Sequence, residues 1–473
     1  MLIKKNMVDI FNFNISVKGY SHIGSGKPCQ DYSLNWTSDD NSIHAVVIAD
    51  GHGSKTYVRS DVGSRLACEI ALENIKSFVS NIPKDFFAGK SGQVTAAPYT
   101  IEDNLFPMQG KRNTTNLSES ETEQLEQDKA YYDAVKDLQE EEAIFKRLFG
   151  SIYLQWVDAL DKYTAENPLN EDEKSTLGNN KIVKAYGSTL MAFVRTPDYW
   201  FAFQIGDGKM VAFDRSMNWS EPVPWDCNCF LNVTTSLCNT EPVRMFRYAF
   251  SGRGDFPTAV FLGSDGIDDS WGTIENLADF YSETLSIFNR LGADTATKEL
   301  EEYLPEMSRK GSRDDMTIAA ILDMDTLPNA VESFSIKKKI NAIDSEKRQL
   351  EEKLRKLTVQ KNEIEDGIKD LEEKIGEKDR SFSAWLNSIV QKKKTEEESI
   401  KLLKTGLVLK KEEAAKVSDE IDRLSEHFKQ WELENKEIYK SLNDQLAKIA
   451  SCAPLDSSSC DADESSLENI PES

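Results

Sequence analysis

The chain has 473 residues, 39% of them hydrophobic and 29% charged, with a net charge of −24. That length leaves room for roughly two or three domains, and 22 Phe, 14 Tyr and 8 Trp supply apolar surface for one substantial core. The acidic balance argues against nucleic acid and anionic membranes as partners, and no run of about 18 apolar residues is present to span a bilayer.

The first 325 residues read as mixed α and β. In "NFNISVKG", Phe13, Ile15 and Val17 alternate with the period of a half-buried strand. "HAVVIADG" is a buried strand, and helical spacing of Val62, Leu66 and Ile70 places a helix over about 57–80. Residues 88–118 have loop composition and read as an insertion. A long helix is expected over about 119–166, with Phe145, Leu148, Ile152 and Trp156 on its apolar side. Strand-like runs follow: "YGSTLMAFVR", "YWFAFQIG", "KMVAFD", "TAVFLGSDG" and "MTIAAILD", with helical sequence around 275–304 between the last two. Short links between strands imply antiparallel sheets with helices packed outside them, an α+β fold.

From about residue 334 to 450 the pattern becomes a 3-4 apolar repeat, the mark of an α-helical coiled coil. Ile340, Ile343, Leu350, Leu354, Leu357, Ile364, Ile368, Leu371 and Ile375 carry a first register, interrupted by Lys347, Lys361 and Lys378. Ile400, Leu403, Leu407, Ala414, Val417, Ile421, Leu424 and Trp431 carry a second. The registers differ by four residues near "KKKTEEES", either a stutter in one helix or the turn of an antiparallel hairpin. Such a segment fits self-association or a partner helix. Residues 451–473 are rich in Ser and acid, and are expected to be a disordered tail.

Seven cysteines do not form a disulfide framework, and the first residues lack a signal-peptide core, so a cytoplasmic protein is expected. Cys227-x-Cys229 with Cys238 lacks a fourth ligand at zinc-finger spacing.

Three apolar runs end on Asp-Gly: Asp50-Gly51, Asp207-Gly208 and Asp265-Gly266. Each alone is an ordinary turn. Together with acidic clusters at Asp31 and Asp314, they suggest carboxylates gathered at strand tips. Such a group repels itself unless a cation sits among them, and oxygen donors suit Mg²⁺ or Mn²⁺. A glycine beside each Asp lets backbone approach closely.

In order, "SHIGSGKPCQDYS", "VVIADGHGS", "YGSTLMAF", "FQIGDGKM", "FLGSDGIDDSW" and "KGSRDDMTIAAIL" resemble the motifs of the metal-dependent protein phosphatases (PPM, type 2C), in a bacterial-type version. The resemblance spans about residues 12–325, within a domain of residues 1–330. It implies an αββα sandwich of two antiparallel sheets flanked by helices, with a variable flap at about 209–256. It also implies hydrolysis of phosphoserine and phosphothreonine in phosphoproteins by water activated between two Mg²⁺ or Mn²⁺ ions. By the same resemblance Asp50 bridges both ions and the Gly51 carbonyl completes one shell. Asp265 and Asp314 hold the second ion, and Asp31 acts through water. Asp207 and Asp269 match a third, weaker site of some bacterial members, and His52 donates the proton to the leaving oxygen.

Two departures stand out. Gln30 occupies a position where many members have Glu, and Gly26 one where many have a phosphate-clamping Arg. Lys27 is the nearest substitute for phosphate binding. The alternative function is a catalytically silent phosphatase-like scaffold acting through its coiled coil; Asp50, Asp265 and Asp314, all retained, favour the enzyme.

Overall fold

The computed structural model describes residues 8–95, 140–230, 233–385 and 393–451, which divide into a unit reaching to Glu332 and a unit from Ser333 onward. The first is a two-sheet sandwich. One sheet has the order β1-β11-β10-β7-β8: Ile10–Val17, Met316–Asp323, Ala259–Gly263, Lys209–Phe213 and Trp219–Ser220. The other has the order β2-β3-β5-β6-β9-β4: Tyr32–Thr37, His44–Ala49, Leu190–Arg195, Trp200–Ile205, Arg247–Ser251 and Ser91–Val94. Every pairing is antiparallel.

Strand periodicity sorts side chains between two cores. On β3, Val46 and Ile48 face the other sheet, meeting Val260, Leu262, Ala319 and Ile321. Their neighbours Ala45, Val47 and Ala49 face outward, onto α2 (Ser60–Asn81) and α3 (Glu140–Glu166), where Ala67, Phe145, Ile152 and Trp156 are buried. On the opposite surface lies α6 (Ile274–Leu291), whose Tyr281 ring stacks on Phe261 of β10 at 4.4 Å and whose Phe288 stacks on Phe13 of β1 at 5.1 Å. The expected αββα sandwich is what the chain forms.

Several boundaries differ from expectation. Part of the supposed 88–118 insertion is β4, an edge strand paired with β9. Its sequence, "SGQV", lacks apolar alternation because β4 is held by its partner's backbone, and Gly92 leaves room for the Phe250 ring. Strand β9 lies inside the stretch assigned to the flap, which is therefore confined to residues between β7 and β9. The helical stretch near 275–304 is two helices, α6 and α7 (Ala293–Lys310), broken at Gly292 with φ +78°. Smaller helices are α1 (Tyr20–Ser25), α4 (Glu171–Leu177) and α5 (Asp265–Trp271), with a 3₁₀ turn at Ile182–Tyr186. The rest of the insertion, the start of the helix expected from 119, residues 231–232 and the tail from 452 lie outside the described residues.

The second unit comprises most of α8 (Leu327–Trp385) and all of α9 (Lys393–Ser451), each 59 residues. They run antiparallel side by side. Lys347 pairs with Glu432 at 3.3 Å, Lys361 with Ser418 at 3.3 Å, Lys411 with Glu372 at 2.6 Å and Lys378 with Ser399 at 2.6 Å, so rising numbers on one helix meet falling numbers on the other. The hairpin alternative is thus the one adopted; residues 386–392 lie outside the described residues. The seam lysines satisfy themselves across the pair.

Candidate metal centre

Each strand-tip carboxylate is placed by a short chain of backbone contacts. Asp50 follows β3; its N–H donates to Thr189 Oγ1 at 2.9 Å and its carbonyl accepts from Thr189 N–H at 2.8 Å. Gly51 is clamped next to it, donating its N–H to the Gln30 carbonyl at 3.1 Å. A Cβ on Gly51 would stand 2.6 Å from both the Gln30 and Ser60 carbonyl oxygens, so only glycine fits. Asp265 opens α5 directly after β10. Asp207 sits between β6 and β7, next to Gly206 at φ +115°. Asp31 immediately precedes β2 and is 5% exposed.

These groups meet. Asp50 and Asp265 lie close enough for each to shift the other's titration. Burial, then the charges of Asp265 and Asp31, push the Asp50 carboxyl well above the ordinary carboxylate range. Burial, then Asp315 and Asp265, push Asp31 up to about 8, against hydrogen bonds from Ser264 and Thr317. Asp265 rises to about 6 through burial and the charges of Asp207, Asp314 and Asp269, against its bond to Asp50. Asp207 and Asp269 rise too, mainly by burial. Asp268 also rises to about 6 by burial, although Lys209 opposes the shift. Asp31 Oδ2 is sealed from solvent and has no hydrogen-bond partner among the described residues. An all-oxygen donor set with an orphaned buried oxygen and mutually raised carboxyls fits a hard divalent cation.

The remaining site residues are placed as follows. Asp314 projects into the open, 53% exposed, on the side of Asp265 and Asp269. Its neighbour Asp315, not singled out from the sequence, is buried; its two oxygens accept the Gly19 and Gln30 N–H groups, both at 2.6 Å. His52 packs at a tilt against Tyr57, centroids 4.6 Å apart, and burial with the nearby Lys184 charge pushes its pKa down to about 4. Gln30 does not point its amide at open solvent: Nε2 donates to the His52 carbonyl at 3.2 Å and to Ser60 Oγ, locking the loop after Asp50. A glutamate could not donate these bonds. Lys27 is exposed and donates to the Gly53 carbonyl at 3.0 Å. It is not on a strand, since Gly26 ends α1 in a left-handed turn at φ +72°.

Sequence reasoning also missed the support under Asp207. Fully buried Arg247 on β9 donates to the Gly206 carbonyl and, at 2.8 Å, to the Pro224 carbonyl. Thr235 Oγ1 accepts the Gly206 N–H at 2.9 Å and donates to buried Asp226 at 3.0 Å. The strand-like pattern of "MFRYAFS" was the available signal for Arg247; Asp226 and Thr235 carry none. Among the described residues Cys227, Cys229 and Cys238 form no cluster at metal-ligand spacing; Cys229 contacts Thr234 and Thr235, and Cys238 contacts Ser236. His44 is packed between Thr37 and Asn41.

The family model for protein phosphatase 2C matches residues 18–305. No curated protein matches the chain. Among solved structures, serine/threonine phosphatase Stp1 from Staphylococcus aureus aligns at 12% identity and TM-score 0.35, over 67% of this chain and 95% of that one. The catalytic domain of the serine/threonine phosphatase PstP, in complex with two manganese ions, aligns at 13% identity and TM-score 0.34, over 66% and 97%. PppA from Pseudomonas aeruginosa aligns at 14% identity and TM-score 0.35, over 67% and 98%. With its family model matched over more than half its length, the chain belongs to the protein phosphatase 2C family.

Proposed function

We propose that the protein is a metal-dependent serine/threonine protein phosphatase acting on phosphoproteins. The observation that carries the reading is the convergence of Asp31, Asp50 and Asp265 into one buried, mutually repelling carboxyl group with an unpartnered oxygen on Asp31. A scaffold has no physical reason to keep that arrangement, because it destabilises the folded chain.

Asp50, Asp31, Asp265, Asp314 and the Gly51 carbonyl would hold two Mg²⁺ or Mn²⁺ ions, with Asp207 and Asp269 as donors for a third. Bound there, the ions would supply an activated water and neutralise charge on the phosphoryl oxygens. The chain's own part is positional. Gln30 and Ser60 hold the loop that presents Asp50, Gly51 and His52. Exclusion of water around Asp31 and Asp50 strengthens every charge interaction in the cleft. His52 is the group placed to give a proton to the departing serine or threonine oxygen. Burial and the Lys184 charge lower its pKa, so a phosphate dianion beside it would have to raise that pKa for the ring to carry the proton. Lys27, whose Nζ reaches the Gly53 carbonyl of that loop, would be a cation for the phosphate.

The test is phosphate release from a phosphothreonine peptide with and without Mn²⁺ or Mg²⁺. Release that depends on metal, and falls in Asp265→Asn by more than the roughly 100-fold typical of losing an outer-shell partner, supports the enzyme. No release from folded protein at millimolar metal refutes it and leaves the scaffold.

A further inference from the structure

We infer that His22 and Asp315 form a buried positioning pair that sets the spacing between Asp31 and Asp314, and so the affinity of the centre for its ions. The inference rests on the reading that these aspartates hold metal.

The two halves of the donor set come from opposite ends of the sandwich sequence. Asp31 follows α1 near the start, and Asp314 precedes β11 near the end. Asp315 joins them. One of its oxygens accepts the N–H of Gly19, at the start of α1. The other accepts the N–H of Gln30, the residue before Asp31. At 3% exposure Asp315 is a carboxylate taken out of water, a costly state unless a donor or countercharge meets it. His22 lies against it: the imidazole is 7% exposed, with Nδ1 3.0 Å from Asp315 Oδ1, an ion-pair distance without hydrogen-bond geometry, and Nε2 3.7 Å from Asp314 Oδ1. One ring therefore faces two consecutive carboxylates, one buried and structural, the other open to the cleft.

Nearby backbone bonds make the attachment rigid. Ser308 Oγ accepts the Tyr20 N–H at 3.0 Å and donates to the Asp314 carbonyl at 2.9 Å, and Ser21 N–H donates to the Arg313 carbonyl at 2.9 Å. Gly19 completes the fit, since a Cβ there would come within 2.3 Å of the Asp314 carbonyl carbon. The ligand atoms of His22, Asp314 and Asp315 lie within 4.8 Å of one another, close enough to suggest an ion of their own. Both Asp315 oxygens already take a short backbone N–H bond, however, so the trio is better suited to orienting than to binding. Outer-shell groups of this kind typically contribute 10- to 100-fold to metal affinity.

The experiment compares Mn²⁺ binding isotherms, by calorimetry on metal-stripped full-length protein, for wild type, His22→Leu, His22→Asn and Asp315→Asn. In His22→Asn the introduced amide can place a donor where Nδ1 stood but is a poor metal ligand. His22→Leu is expected to weaken binding about tenfold, with His22→Asn recovering most of the loss. Asp315→Asn, which must turn an amide toward one of two N–H donors, should weaken it at least as much. An isotherm unchanged in a folded His22→Leu overturns the pair. Loss of one whole equivalent of Mn²⁺ in both His22 variants also overturns it, in favour of a direct ligand. Should His22→Leu fail to fold, the comparison of wild type with His22→Asn and Asp315→Asn decides: two unchanged isotherms refute the pair. Absence of Mn²⁺ binding in the wild type would instead sink the phosphatase reading itself.

Discussion

The sandwich and the helical hairpin bury their apolar residues to different depths. In the sandwich, whole strands such as β5, β10 and β11 are buried on both faces. In the hairpin beyond Ile336, burial among the described residues is confined to Ile364, Ile375, Ile400, Val417, Trp431 and Leu442. Geometry explains the contrast. A sheet flanked on both sides covers both faces of each strand, whereas two helices cover one stripe of each other. The first arrangement has enough stabilisation to hold repelling carboxylates at its strand tips; the second relies on length and on charge pairs across the seam. Charge follows the same division. Lys and Arg nearly balance Asp and Glu between residues 337 and 448, so the net −24 resides outside the hairpin.

The largest effect that would sharpen this contrast is chemical. His52→Ala should slow phosphopeptide hydrolysis by about 100-fold or more while leaving aryl phosphate hydrolysis much less affected, because an aryl oxide departs without a proton. Equal losses on both substrates, measured as kcat/KM, would remove the acid role. Next comes packing. Phe149→Ala, in the outer core of the sandwich, should cost about 3–5 kcal/mol and lower the melting transition that tracks phosphatase activity. Ile364→Ala, in the hairpin, should leave that transition in place and shift only the loss of helical ellipticity. A common shift would show that the two units melt as one.

A third prediction concerns pH. Asp31, Asp50 and Asp265 all have folded pKa values raised above their unfolded ones, so their protonated forms favour folding. That contribution is complete below the usual carboxylate range and is lost as pH rises through about 6 for Asp265 and about 8 for Asp31. Metal-stripped protein should therefore lose thermal stability from the sandwich between pH 4 and 8, and millimolar Mn²⁺ should restore most of it at the upper end. Flat stability across that window, without metal, would contradict the buried-carboxyl description. The smallest effect belongs to the hairpin: Lys411→Glu, opposite Glu372, should cost at most about 1 kcal/mol and less at high salt. A larger, salt-insensitive loss would mean that the seam depends on this pair more than a surface ion pair allows.

Much of the site was legible because its signals are local. A β-strand that ends on Asp-Gly advertises itself within ten residues, and the order of such ends along the chain identified the family. Gly51 followed from the same logic, and the Gln30 and Ser60 carbonyls leave no room there for a Cβ. The support for those carboxylates was less visible. The sequence singles out none of Asp315, His22 and Arg247. Their importance arises from contacts across 285 or 296 residues of sequence, as between Asp315 and Gln30 or Gly19, and no local period encodes these. Strand β4 was overlooked for a related reason: an edge strand is held by its neighbour's backbone and needs no alternation of its own.

By itself the sequence determined the elements whose pattern repeats with a period, namely the buried strands, the amphipathic helices and the two long registers, and the carboxylates at strand tips. Tertiary structure decided three matters: how the registers pair, which of two adjacent aspartates is buried, and which polar groups brace the strand-tip carboxylates. Periodicity arises from each residue's position along its own element, and is therefore written locally. Pairing, burial of a single carboxylate and hydrogen bonds between chain-distant loops depend on which surfaces meet, and that is settled only when the sheets close on each other.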